Sequence, residues 1–199
     1  MSEHNFKFFW SGPFSQWSNH GFEIEGIYYN RAEQFMMAQK ALLFNDMESF
    51  DKIMATKDAK KQKALGRKVK NYNDNVWANN SMAVVLTASY FKFKQNKNLK
   101  QLLLDTGSKE LVEASPYDRV WGIGLKEDDP RALNKVTWRG DNKLGLCLGM
   151  ARDFLNYEIK HGEYPNGSPE LYSPIRYAES NGYDDIVKML LSKNKKSDT

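Results

Sequence analysis

At 199 residues, 41% hydrophobic and 27% charged, the chain has the balance of a globular protein and can bury a real core in one domain with a modest appendage. Its longest apolar run, Leu144 to Met150, is far below the roughly 18 residues that a membrane-spanning helix needs, so no membrane partner is expected. The net charge of +4 permits phosphate or nucleic-acid partners without demanding them.

The opening Met-Ser-Glu-His-Asn has no basic segment ahead of an apolar one, so no secretory signal is expected. Phe6-Lys-Phe-Phe-Trp10 reads as a first strand, ended by Ser11-Gly-Pro13, and Phe14-Ser-Gln-Trp17 as a loop. Phe22 to Ile24 and Ile27 to Tyr29 read as a hairpin turning at Glu25-Gly26. Asn30 is the expected N-cap of a helix from Arg31 to about Phe44. Three-and-four spacing places Glu33, Met36, Met37, Lys40, Ala41 and Phe44 on one face of it. Asp46 opens a second short helix, and Thr56 caps a third that runs through Leu65. Gly66 should end that helix and hold Arg67 at a turn. The next helix begins near Asn75 or Val76, carries Trp77, Met82, Val85, Leu86 and Phe93 towards a core, and ends in a basic cluster. Leu99 to Leu104 is one more helical stretch.

Residues 110 to 124 concentrate the chemistry. Leu111 and Val112 read as a short buried strand, which Ser115-Pro116 breaks. Asp118 and Trp121 then fall on one loop, where Gly122 and Gly124 free the backbone for positive φ or close approach. A carboxylate, an indole and two glycines suit the wall of a site for a polar ring. The lone Gly-Ile-Gly lacks the rest of a dinucleotide fingerprint. Residues 131 to 141 read as a long loop, and Asp141 or Asn142 as the cap of a helix from Leu144 to about Ile159. Gly145 and Gly149 inside that helix predict close packing against a neighbouring element or ligand. Cys147 is the sole cysteine, so no internal disulfide forms and a reducing, cytoplasmic setting fits. Three scattered histidines, His4, His20 and His161, offer no metal-ligand spacing, and no metal is expected.

The domain reading is residues 1–160 as the main domain, 161–172 as a linker and 173–192 as a helix pair similar to a single ankyrin repeat, followed by a disordered tail over 193–199. One repeat cannot bury its own apolar face, so the pair should dock on the main domain or on a protein partner. Removing residues 173–199 is expected to leave the function of the main domain intact.

Seven motifs occur in one order: Phe14-Ser-Gln-Trp17, Ala32-Glu-Gln-Phe35 through Lys40, Gly66-Arg67, Trp77, Lys92-Phe-Lys-Gln-Asn96, Leu111 to Gly124, and Asn142-Lys-Leu-Gly145 through Met150 and Arg152. Over roughly residues 6 to 158 the chain thereby resembles the NADAR family, the YbiA-like N-glycosidases. It departs from the family pattern at Gln16 (usually Asn), Ala32 (usually Ser) and Gln34 (usually His). The missing His would have been a candidate partner of the sugar or of the catalytic carboxylate.

The expected fold is a compact, mostly helical α+β domain of that type, with a small sheet from the N-terminal strands and residues 111–114. The resemblance implies hydrolysis of an N-glycosidic bond between ribose C1 and an exocyclic amine of a nucleobase-like ring. It implies two substrate classes: ADP-ribose on guanine, including in DNA, and the phosphoribosylamino-pyrimidine intermediates of riboflavin synthesis. Such cleavage passes through an oxocarbenium-like state and needs a carboxylate near C1 and a proton for the leaving group. Glu33 is the candidate for proton transfer, and Asp118 for the ionised stabiliser of the cation or for orienting water. Lys40 and Arg67 suit phosphate oxygens, and Trp77 and Trp121 suit stacking on the base or ribose. Gln16, Glu113, Gly122, Gly124 and Asn142 complete the expected substrate contacts, with neither metal nor cofactor required. The basic run Lys57 to Lys70, the cluster Lys92, Lys94, Lys97 and Lys100, and the net charge favour ADP-ribosylated nucleic acid over a small ribosyl-amine nucleotide. The competing reading is a module that binds ADP-ribose or a nucleotide without cleaving it.

Overall fold

The computed structural model describes residues 5–162, 164 and 171–194. Most of the expected linker and residues 195–199 of the expected tail lie outside them, as do the first four residues. The fold is α+β and mostly helical, as expected, with eight α-helices and four short strands among the described residues. Contacts divide it into two compact units, residues 1–18 with 93–169 and residues 19–92 with 170–199.

In the first unit, β1 (Phe6–Phe9) pairs in parallel with β4 (Glu110–Glu113), in the register Phe6 to Glu110 and Phe9 to Glu113. Of the small sheet expected from the N-terminal strands and residues 111–114, only the first strand joins that segment, and strands 22–24 and 27–29 form a separate two-stranded sheet. Val112, Ile123, Leu125 and Ala132 form a buried cluster against which Phe6, Phe8 and Trp138 pack, and the Trp138 indole donates to the Ala132 carbonyl at 2.8 Å. Residues 131–141 are not one long loop. They contain two 3₁₀ turns, Pro130–Leu133 and Lys135–Thr137, whose first N–H groups are held by the Asp129 and Asn134 side chains. Helix α5 (Lys97–Leu104) and the long helix α6 (Lys143–His161) complete the unit, and α6 lies on β4.

Gly145 and Gly149 separate in role. A Cβ on Gly145 would lie 2.0 Å from the Leu111 carbonyl oxygen, whereas one on Gly149 meets nothing within 4 Å. The expected close packing thus belongs to Gly145, which lets α6 reach the β4 backbone. Gly145→Ala should destabilise the protein by about 1–3 kcal/mol through overpacking. Gly149→Ala should stabilise it by about 1 kcal/mol, the helix-propensity difference. Urea midpoints of the two variants check both signs.

In the second unit, β2 (Phe22–Ile24) and β3 (Ile27–Tyr29) form the expected antiparallel hairpin. Glu25 and Gly26 both have positive φ, 51° and 71°, as a twisted two-residue hairpin turn demands. Helix α1 (Ala32–Leu43) is the centre of this unit and packs on α2 (Met47–Ala55), α3 (Ala59–Gly66), β3 and α7 (Pro174–Ser180). Every residue of α1 except Lys40 is buried, so the single apolar stripe suggested by spacing is in fact an all-round core helix. Asn30 does not cap it. Arg31 takes the N-cap position, and the Asn30 side chain bonds Arg31 and Gln62 instead. Asp58 rather than Thr56 caps α3, accepting from the Lys61 N–H at 3.0 Å, and Asn73 caps α4 (Asp74–Gln95).

The C-terminal helices belong to this unit. Helix α7 pairs with α8 (Asp184–Asn194) and buries Ala178, Ile186 and Leu190. The Glu25 carboxylate, at the hairpin tip, accepts from the Ser173 hydroxyl and from the Ile175 N–H at 3.0 Å.

Candidate functional site

Six residues of the second unit build a cationic and aromatic surface from α1, the end of α3 and the start of α4. Gly66 closes α3 with ordinary negative φ, and its lack of a side chain serves packing: a Cβ there would lie 2.0 Å from Met37 Sδ on α1. That close approach brings Arg67, the exposed C-cap residue of α3, beside α1. The Lys40 ammonium lies 4.0 Å from the Tyr72 ring centroid and 5.4 Å from that of Trp77, in cation–π range of both. Burial lowers the Lys40 pKa, Asp74 opposes this, and the Arg67 charge lowers it further. Tyr72 packs edge-on against Phe44 at 5.3 Å, and its pKa is raised by burial and by its hydrogen bond to Asp74. The sequence reading placed Lys40, Arg67 and Trp77 here, and the structure brings those three together. It missed Tyr72 and Asp74, which stand in the polar run Asn71 to Asn75; the one signal was an aromatic ring inside that run.

Glu33 lies on the same face of α1, two turns before Lys40, or about 10 Å along the axis at the usual helical rise. It is 4% exposed and sits in the first turn of the helix. Its neighbour Gln34 is a scaffold residue. The Gln34 side chain accepts from the Asn30 N–H at 2.7 Å and donates to the Ile53 carbonyl at 3.1 Å, locking the start of α1 to the end of α2. The substitution for the family's His therefore places a structural latch next to Glu33. Gln39, also buried, donates to the Tyr29 hydroxyl at 3.2 Å.

The remaining predicted residues lie in the first unit. Gln16 is buried on the turn that follows the 3₁₀ segment Gly12–Phe14. Asp118 Oδ1 accepts from the Val120 and Trp121 N–H groups at 2.9 and 2.8 Å, which folds residues 118–121 into a tight turn. Gly122 packs on the Glu113 carbonyl, and Gly124, at φ 67°, packs on Arg139. The carbonyls of Gly122, Val120 and Trp121 accept from the Asn142, Lys143 and Leu144 N–H groups at 3.2, 3.3 and 3.0 Å. This loop thus caps α6 with its own backbone. Asn142 stands at the N-cap position in left-handed conformation, and its side chain is used elsewhere: Oδ1 accepts from the Glu113 N–H at 3.0 Å and Nδ2 donates to the Leu111 carbonyl at 2.9 Å. Glu113, Asp118, Trp121, Gly122, Gly124 and Asn142 form one hydrogen-bonded assembly around the end of β4. Among the described residues no three His, Cys, Asp or Glu side chains gather as metal ligands, and no helix is long and apolar enough to cross a membrane.

The NADAR domain profile matches residues 6–156, a span that takes in residues of both units. The chain belongs to the NADAR domain family. An N-glycosidase of Acanthamoeba polyphaga mimivirus is 43% identical over 145 residues, 70% of this chain and 85% of that protein. An N-glycosidase of Nostoc punctiforme is 31% identical over 125 residues, 63% of this chain and 80% of that one. The solution structure of E. coli YbiA superposes with a TM-score of 0.67 at 24% identity, covering 83% of this chain and 93% of YbiA, which is a likeness of fold. The NADAR match ends before α7 and α8.

Two features of the NADAR chain correct the charge argument. Lys92 is 1% exposed, and burial pulls its pKa down to about 7; Lys94 is paired with Glu158 at 2.9 Å. Of the second basic cluster only Lys97 is well exposed. Lys70 pairs with Glu48 at 2.7 Å, but Lys57, Lys60, Lys61, Arg67 and Lys68 remain an exposed basic face on and beside α3.

Proposed function

We propose that this protein is an N-glycosidase that hydrolyses the bond between C1 of a ribose and an exocyclic amine of a nucleobase. The observation that carries the reading is α1 itself. It bears a buried carboxylate, Glu33, and two turns on an ammonium, Lys40, set between Tyr72 and Trp77 and beside Arg67. Relatives named as N-glycosidases support it.

Glu33 gives its proton to the leaving amine as the C1–N bond lengthens and positive charge spreads over C1 and the ring oxygen. Water then adds to C1 and returns a proton to Glu33. Lys40 and Arg67 hold the phosphate oxygens, and Trp77 offers a face to the base. Asp118 keeps the loop that carries Trp121 in shape, and the family resemblance suggests for it the role of an ionised carboxylate in turnover. Asp118→Asn should therefore keep the fold, because the amide oxygen can still accept from Val120 and Trp121, yet lose turnover. Unchanged turnover in that variant, with the Asp118→Ala loop disturbed, would confine Asp118 to the turn.

The exposed basic face beside α3 favours ADP-ribose on guanine in DNA as the substrate, with riboflavin pyrimidine intermediates as the second reading. Activity on modified DNA should then fall steeply as salt rises, because each lysine–phosphate contact releases a counterion, and activity on a small ribosyl-amine nucleotide should fall far less. Steady-state rates at several salt concentrations test this. A flat response on DNA, or turnover confined to the pyrimidine intermediates, reverses the order.

A further inference from the structure

The first unit exposes a second aromatic pair that the proposed reaction does not use. Trp10, which follows β1, is 51% exposed, and Tyr117, in the turn after β4, is 84% exposed. Their ring centroids lie 6.1 Å apart with the planes tilted by 48°, so the two faces splay rather than seal each other from water. Trp10 lines a cleft of about 540 Å³ together with Ala114, Lys126, Glu127 and Asp128, and Tyr117 stands beside Trp10 outside that lining. That size falls within the range of small-molecule sites. Ala114 forms a rigid floor, since it is buried and its N–H is bonded to the Phe9 carbonyl at 2.7 Å, and its small side chain leaves the space above it open.

We propose that this cleft binds one unmodified nucleobase. The Trp10 wall offers a π face, which every base can use. The rim offers two carboxylates that accept from ring and amino N–H groups and one ammonium that donates to ring nitrogen or carbonyl acceptors. A phosphate would meet Glu127 and Asp128, and a simple organic cation would meet Lys126. An uncharged ring whose edge carries both donors and acceptors satisfies all three. The base comes either from a free nucleoside or from a nucleotide flanking the scissile one in a single strand; the chemistry of recognition is the same. The site is independent of the hydrolysis proposed above, because its ligand carries no ribose on an exocyclic amine.

The test uses the full chain with ligands that carry no ADP-ribose. Saturation-transfer NMR measures guanosine, adenosine, cytidine and thymidine, and fluorescence anisotropy measures a short single-stranded DNA. Lys40→Ala is included to remove the cation of the other cluster. Binding should persist in Lys40→Ala, weaken by about tenfold or more in Trp10→Ala, and fall less in Tyr117→Ala, which removes only the ring beside Trp10. Paired Glu127→Gln and Asp128→Asn changes should cost guanosine most, since its edge donates most. Oligonucleotide binding much tighter than nucleoside binding identifies the strand as the source; similar affinities identify the free nucleoside. Both aromatic positions are exposed, so thermal midpoints should match the parent and any loss is read as binding. Trp10→Ala binding as well as the parent, or no binding by the parent of any of these ligands, overturns the proposal whether or not the protein hydrolyses ADP-ribosyl-guanine.

Discussion

Glu33→Gln is expected to lower turnover by on the order of 10²-fold or more while leaving the fold and much of the ligand affinity in place. The change removes a proton-carrying oxygen and keeps the volume of a side chain that is 4% exposed inside α1. The phosphate contacts proposed for Lys40 and Arg67 would be untouched, so the loss should appear in kcat more than in KM. Single-turnover rates together with a binding isotherm separate the two. Near-parental rates would remove Glu33 from the chemistry and return α1 to a purely structural role.

Deleting residues 173–199 is expected to destabilise the second unit severely, contrary to the harmless truncation that the sequence suggested. Ile186 and Leu190 are buried, α7 packs on α1, and Glu25 holds the Ser173 hydroxyl and the Ile175 N–H. Re-exposing those two side chains alone costs roughly 3–6 kcal/mol as an upper figure, comparable with much of a small domain's stability. Because the exposed partner is the helix that carries Glu33 and Lys40, turnover of even a small substrate should fall with it. Urea unfolding of the truncated and full chains decides the matter. Equal midpoints would make the helix pair an appendage rather than a brace.

These elements also show where sequence was a sufficient guide. The hairpin was legible because Glu25-Gly26 is a local demand for two positive φ angles, flanked by alternating apolar residues. The parallel pairing of β1 with β4 depends on partners about a hundred residues apart, and only the family resemblance pointed to it. Helix α1 was found but misjudged, since its second and third faces are covered by α2, α3 and α7, which spacing within α1 cannot reveal. The Asn142 position was right and its bonding was not: the 118–124 loop had already capped α6, which left the amide to bridge Glu113 and Leu111. Lys40, Arg67 and Trp77 were readable as separate polar islands in a recognisable order. Tyr72 and Asp74 were not, because a polar run before a helix is ordinarily read as its cap, and only the fold lays that ring under Lys40. Lys92 and Lys94 show the converse, cations that looked like a solvated face until burial and Glu158 claimed them.

The central claim is hydrolysis at ribose C1, and isotope placement tests it most directly. The protein is incubated in heavy-oxygen water with single-stranded DNA carrying ADP-ribose on guanine and, separately, with a phosphoribosylamino-pyrimidine. Products are then weighed by mass spectrometry. The expected products are the sugar phosphate with one heavy oxygen at C1 and an unlabelled base that keeps its amine, formed on the order of 10²-fold or more slowly by Glu33→Gln. Substrate bound but recovered intact from the parent protein, or label appearing in the base instead of the sugar, would contradict it.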